Sequence, residues 1–214
     1  MIRAPEPCQP IDGLVASGGD FRLPSGDLTL SRDRDPFDRA LDALRRRLAD
    51  HGPLQGDPLP VNSLAAELGV SPTPVREALA RLAGEGLVAR TGAGYAGAVH
   101  DAQSLAGLYG LAGILALQLA RGAPVAVAAA ASPGEALVAM AQGADNRILA
   151  VEVQRILSQL APFAAAERVV LSPERWPAGP SQLAEFFRRY YARRVRRSEA
   201  ILTAAMTAKM RNRI

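Results

Sequence analysis

The run from Leu59 to Arg90, LPVNSLAAELGVSPTPVREALARLAGEGLVAR, constrains this chain more than any other stretch. Leu64, Ala65 and Leu68 share one face of a short helix. Gly69 stands just past its end, where a residue without Cβ takes a left-handed backbone at no steric cost. Ser71 reads as the N-cap of a second helix and Pro72 as its first residue, where a missing N–H does no harm. Val75, Ala78, Leu79 and Leu82 recur at three- and four-residue spacing and predict one buried stripe. Gly84 and Gly86 end that helix, and Leu87-Val88-Ala89 resumes as an extended segment. Two helices meeting at a Gly-containing turn make a helix-turn-helix, whose second helix suits the major groove of DNA.

The flanks complete the unit. Phe37, Leu41, Leu44 and Leu48 predict an amphipathic helix opened by Asp35, with at least two of Arg45, Arg46 and Arg47 on a charged outer face. Leu87 to Thr91 and Tyr95 to Val99, on either side of Gly92-Ala93-Gly94, predict a β-hairpin. Gly52 to Pro60 is a polar connector, and residues 1–34, rich in Pro, Gly, Asp and Arg, read as a mobile arm. Arg32 and Arg34 of that arm alternate with Asp33 and Asp35, which cancel their charge.

The second half is helical in pattern. Ser104 caps a helix from Leu105 to Ala120 with Leu108, Leu111, Ile114, Leu115 and Leu119 inside. Ala123 to Ala131 fits strand or helix equally. Ser132 to Glu135 opens a helix to Gln142, and a further helix from Asn146 to Ala161 is stopped by Pro162. It turns Ile148, Val151, Val153, Ile156, Leu157 and Leu160 mostly inward. Leu171 to Ser181 is a loop holding Trp176, and Ser181 caps one long last helix running toward Lys209. The expected fold is mainly α: a winged helix-turn-helix of three helices and a small hairpin, then an all-α bundle of four or five helices. The expected boundaries are an arm at 1–34, a DNA-binding domain at 35–100 and a ligand-binding or dimerisation domain at 101–214.

Composition narrows the function. A net charge of +4 and a pI near 9.8 permit a polyanionic partner. With Cys8 the only cysteine, no intrachain disulfide is possible. The opening MIRAPEPCQPIDG lacks an apolar segment of signal-peptide length, and Gln118, Arg121 and Gly122 interrupt the apolar stretch from Leu111 to Ala131. A cytoplasmic protein with no membrane partner is expected. No Ser lies in a nucleophile-elbow context, no Gly-rich phosphate loop follows a strand, and Cys8 has no nearby His, so no enzyme is expected.

The run LGVSPTPVREALARLAGEGLV resembles the winged helix-turn-helix of GntR-type bacterial transcription regulators. The resemblance implies a sequence-specific, homodimeric transcription regulator of double-stranded DNA. It places DNA contacts at Ser71, Thr73, Arg76, Arg81, Arg90 and the wing-tip Gly94. Asn62, Pro72 and Ala93 depart from it, standing where the family commonly has basic residues. Those departures support an alternative: a divergent member acting as a protein-interaction module with weak or non-specific DNA binding.

The second half resembles the helical FCD domain of one branch of that family, through SLAGLYGLAGILALQLA and Asn146-Arg147-Ile148-Leu149. That branch often holds a divalent ion with three His residues and an Asp or Asn. Here His51 and His100 are the only histidines and both precede the bundle, so no metal and no cofactor are expected. Leu108-Tyr109 is followed by Gly110 and not by the branch's usual Arg, which argues against its usual carboxylate effector. The aromatic cluster of Trp176, Phe186, Phe187, Tyr190 and Tyr191 reads as a packed core with a dimer seam or, alternatively, as a small-molecule effector pocket at Trp176, Phe187, Tyr191 and Arg193, beside an arginine-rich run that could hold a carboxylate or phosphate if it faces inward.

Overall fold

The computed structural model describes residues 35–50, 52–122, 132–177 and 179–211. The expectations for 1–34, for His51 and for Ala123 to Ala131 lie outside the described residues.

Helix α1 spans Pro36–Asp50, with Asp35 Oδ1 accepting the Phe37 N–H at 3.0 Å. It buries Ala40, Leu41, Leu44 and Leu48 against α3, Pro72–Gly84, whose Val75, Ala78, Leu79 and Leu82 are all inside. Helix α2, Val61–Leu68, ends at Gly69 with φ 63° and ψ 36°, the left-handed stop read from the sequence. Strands β1, Val88–Thr91, and β2, Gly94–Gly97, pair antiparallel with Val88 opposite Gly97 and Thr91 opposite Gly94.

The connector before α2 is ordered against this hairpin. Gly56 N–H donates to the Gly97 carbonyl at 3.0 Å, Gly97 N–H to Asp57 at 2.9 Å, and Leu59 N–H to Tyr95 at 2.8 Å. A Cβ on Gly97 would collide with Leu54, so the approach requires glycine. Arg46 is exposed on the outer face of α1, and the half-buried Arg45 and Arg47 brace the helix. Arg45 Nη2 donates to both Glu85 oxygens at 2.8 and 2.9 Å, and Arg47 donates to Glu67 of α2.

Helix α4, Ala102–Ala120, begins earlier than expected. Asp101, not Ser104, is the N-cap: its Oδ1 accepts the Ser104 N–H at 2.7 Å while Ser104 Oγ accepts the Asp101 N–H at 2.9 Å. These bonds to the charged form hold the Asp101 carboxyl below its ordinary pKa. Helices α5, Pro133–Gly143, and α6, Arg147–Leu160, follow, capped by Ser132 and Asn146. As expected, α6 stops just ahead of Pro162, though the chain stays helical through that proline. Pro162 sits in a 3₁₀ turn, Ala161–Phe163, where its missing N–H is tolerated, and α7, Ala164–Val170, continues from it.

The single last helix is two. A 3₁₀ turn at Pro180–Gln182 leads into α8, Leu183–Arg196, with Gln182 rather than Ser181 as N-cap. A break at Arg197, φ −110° and ψ 12°, separates it from α9, Ser198–Arg211. The break has a packing reason: α8 lies mainly on α4, whereas α9 must reach both α7 and α4. Among the described residues the bundle therefore has six α-helices, not four or five.

The bundle core gathers Leu105, Tyr109, Ala112 and Ala116 of α4 with Leu137, Val153, Phe163, Leu183, Phe187 and Ile201. Gly113 lets α4 and α8 touch, since a Cβ there would lie 3.0 Å from that of Tyr191. The inward faces differ from expectation at four positions. Leu111 and Ile114 of α4 are 40% and 66% exposed, and Ile148 and Val151 of α6 are 75% and 59% exposed. Apolar residues occur all round α4, so periodicity alone does not select its buried side.

Candidate nucleic-acid interface and ligand cavity

The start of α3 is short of backbone donors. Among its first three residues only Thr73 has an N–H, because Pro72 and Pro74 have none. Ser71 occupies the N-cap position without a side-chain capping bond. The reason is local: Pro74 removes the N–H that an N-cap oxygen would bond at that place. Among the described residues the Ser71 hydroxyl and the Thr73 N–H and hydroxyl are thus uncommitted donors at the positive end of a helix, suited to a phosphate.

Arg76 is one turn further on. It is exposed, on the side opposite buried Val75 and Leu79, and makes no ion pair or hydrogen bond among the described residues. Arg81 is exposed but committed: its Nε donates to Glu85 Oε1 at 2.8 Å, and that carboxylate also holds Arg45. In the hairpin Arg90 lies over the ring of Tyr95 at 6.0 Å, and Gly94 is exposed at the turn with φ 127°, where a side chain would strain the backbone. Asn62 and Ala93 are exposed beside these groups in sequence.

The three helices, the first strand and the turn of the hairpin match the family described as "Bacterial regulatory proteins, gntR family" over residues 36–94. Residues 36–94 are a GntR-family helix-turn-helix domain. Over 84% of its length the chain has the fold of E. coli McbR/YncC, with a TM-score of 0.50 at 16% identity over 95% of that chain. Listeria monocytogenes Lar aligns with a TM-score of 0.41 at 14% identity, over 83% of this chain and 96% of Lar. Streptococcus agalactiae GntR aligns at 0.27 and 16%, over 82% and 95%. No curated protein matches the chain.

The GntR-family domain is pinned to the bundle by side chains. Gln55 clamps the backbone of His100, accepting its N–H at 2.7 Å and donating to its carbonyl at 2.8 Å. The His100 ring meets Phe163 edge-on, with centroids 5.5 Å apart, and burial lowers its pKa against the opposing pull of Asp101. Lys209 near the end of α9 pairs with Asp57 at 2.9 Å.

Within the bundle a cavity of about 590 Å³ opens between α7, α8 and the loop after Leu171. Trp176 and Phe186 form its aromatic wall, with ring centroids 5.0 Å apart. Its polar floor is Arg194, 6% exposed. Arg194 Nε donates to Glu167 at 2.7 Å and Nη1 to Glu174 at 3.0 Å, and the guanidinium lies 3.3 Å from the Tyr190 ring centroid. Burial opposes this charge, but Glu167, Tyr190 and Glu174 outweigh it and hold its pKa above the ordinary value. Tyr109 donates its hydroxyl to the other oxygen of Glu167 at 2.6 Å, and burial pushes Tyr190 up to about 12.

The structure disperses the four residues expected at an effector pocket. Trp176 lines this cavity. Phe187 is fully buried in the core behind it, and Tyr191 lines a smaller recess of about 150 Å³ with Tyr109. Arg193 belongs to a separate cleft on the outer side. Arg194, missing from that set of four, carries a sequence signal of its own. It continues the phase of Phe187 and Tyr191 at i, i+4 and i+7, the inward face. Among the described residues no group of three His, Cys, Asp or Glu side chains could hold a metal.

Proposed function

We propose that this protein is a cytoplasmic, homodimeric, sequence-specific regulator of transcription whose bundle responds to a small molecule. In this reading residues 35–100 engage double-stranded DNA and residues 101–214 dimerise and sense. The supporting observation is the outward presentation of Thr73 and Arg76 on a helix whose opposite side is packed. Thr73, with Ser71, would hold a phosphate, and Arg76 would take a base edge, most readily guanine N7 and O6. Gly94 and Arg90 would bring the wing to the backbone, and Arg81 would contribute least because Glu85 already holds it. Dimerisation suits paired half-sites one helical turn apart.

A mobility shift with a fragment of the protein's own promoter region tests this. Arg76→Ala should weaken specific binding by about 1–3 kcal/mol, roughly five- to 150-fold, with the fold intact. A wild-type protein that shifts no such fragment at low salt overturns the reading. Asn62, Pro72 and Ala93 favour a second reading as a protein-interaction module. Near-zero DNA affinity together with a stoichiometric protein partner would select it.

A further inference from the structure

Outside the aromatic cavity, across Phe186 and Tyr190, lies a cleft of about 440 Å³ lined by Arg175, Arg189, Arg193 and Arg196. We infer that this cleft binds a small organic phosphate carrying two or more negative charges. Its one acid, Glu174, is already held from behind by Arg194 at 3.0 Å and stands 3.9 Å from Arg193. Glu185, outside the lining, hydrogen-bonds Arg188 and lies 3.6 Å from Arg189. Arg175 and Arg196 make no ion pair among the described residues. Arg189, Arg193 and Arg196 follow one another at i, i+4 and i+7 along α8, so three like charges lie along one side of the helix and Glu185 and Glu174 offset them only in part.

Phosphate fits this array better than a single carboxylate. Four guanidinium groups offer more donors than two carboxylate oxygens can accept, whereas a phosphate presents three oxygens and up to two charges. An operator bound at α3 is a poor occupant. Lys209 of α9 touches the helix-turn-helix half at Asp57, and α9 rises roughly 17 Å from there back to Ser198, beyond which Arg196 stands. The inference rests on the effector reading only for its consequence, a change in DNA affinity; the site itself stands on the arginine geometry.

Isothermal titration of the full chain with inorganic pyrophosphate, without DNA, tests the site. One pyrophosphate per chain is expected, weakened at least tenfold in Arg189→Gln/Arg193→Gln and unchanged in Arg211→Gln, with the same thermal unfolding midpoint in each. No heat from pyrophosphate, equal binding by the double variant, or equal binding of citrate overturns the inference. So does displacement of pyrophosphate by a short duplex in the Arg76→Ala background, which would make the occupant nucleic acid. A mobility shift with and without pyrophosphate then tests the effector reading separately: calorimetric binding with no change in DNA affinity sinks that reading and leaves the site.

Discussion

Gln159 of α6 donates its Nε2 proton to the backbone carbonyl of Glu85 at 2.6 Å, joining the bundle to the residue that ends the recognition helix. Gly86 beside it has φ 78°, and a Cβ there would lie 2.7 Å from that same nitrogen. A Cβ there would push the end of the Gln159 side chain off the Glu85 carbonyl, and the positive φ favours glycine in any case. Gln159→Ala should cost about 1 kcal/mol, the net worth of one hydrogen bond. Gly86→Ala should cost more than that, since it adds a collision and a strained φ. Urea unfolding of both variants checks the order. Equal midpoints for Gln159→Ala and wild type would show that the contact contributes nothing.

Arg194 is the second place where one change has large consequences. Its guanidinium is buried and answers two carboxylates, Glu167 at 2.7 Å and Glu174 at 3.0 Å. Removing one partner from such a group strands the others, so Arg194→Ala should destabilise by about 3–5 kcal/mol. Arg194→Lys should rescue little, because an ammonium cannot span both carboxylates with a planar fork. Denaturant midpoints decide between this and a surface-type pair, for which the loss would be below about 1 kcal/mol.

What the sequence disclosed and what it withheld divide along physical lines. Gly69, the Val75-Leu79-Leu82 stripe and the hairpin around Gly94 were legible because each is a local rule, a left-handed stop, a period or a turn. The inward side of α4 was not. Its residues are apolar on every face, so only the packing of α8 across Gly113 decides that Tyr109 and Ala112 go in and Ile114 stays out. The break at Arg197 was hidden for a similar reason, since the apolar spacing runs on through it from Tyr191 to Ile201. In the candidate interface, the spacing exposed Arg76 and set Arg81 one turn before Glu85, but the Arg45 that shares that carboxylate comes from forty residues away. Arg194 was readable as a phase and obscured by the arginines around it.

His100 gives the junction a pH dependence of definite sign. Burial lowers its pKa below 6.5, and Asp101 offsets this only in part. A histidine depressed in the folded state binds fewer protons there than in the unfolded chain, so stability rises with pH through that window. The contribution is fully present above about pH 6.5, the unfolded value, and is lost as pH falls through the folded pKa. Urea midpoints of wild type should therefore drop between pH 7.5 and 5.5 by more than those of His100→Gln. Parallel profiles for the two proteins would remove His100 as the cause.

The exposed apolar side of α4 leads to a last expectation. From Ala102 to Ala120 the helix has no charged residue, and Leu111 and Ile114 face outward while α6, packed against it, leaves Ile148 and Val151 exposed. Large exposed side chains of this kind stabilise an association by leaving water, at about 25 cal/mol per Å² of apolar surface. A carboxylate placed at Ile114 would have to be desolvated in such an interface but stays hydrated in a lone chain. Ile114→Glu should therefore leave the fold and its unfolding midpoint nearly unchanged, because the site is 66% exposed, and shift the mass in solution from dimer to monomer. Light scattering behind size exclusion reads the mass directly. A variant with the same mass as wild type would place the seam between copies elsewhere, and a monomeric wild type would remove the dimer altogether.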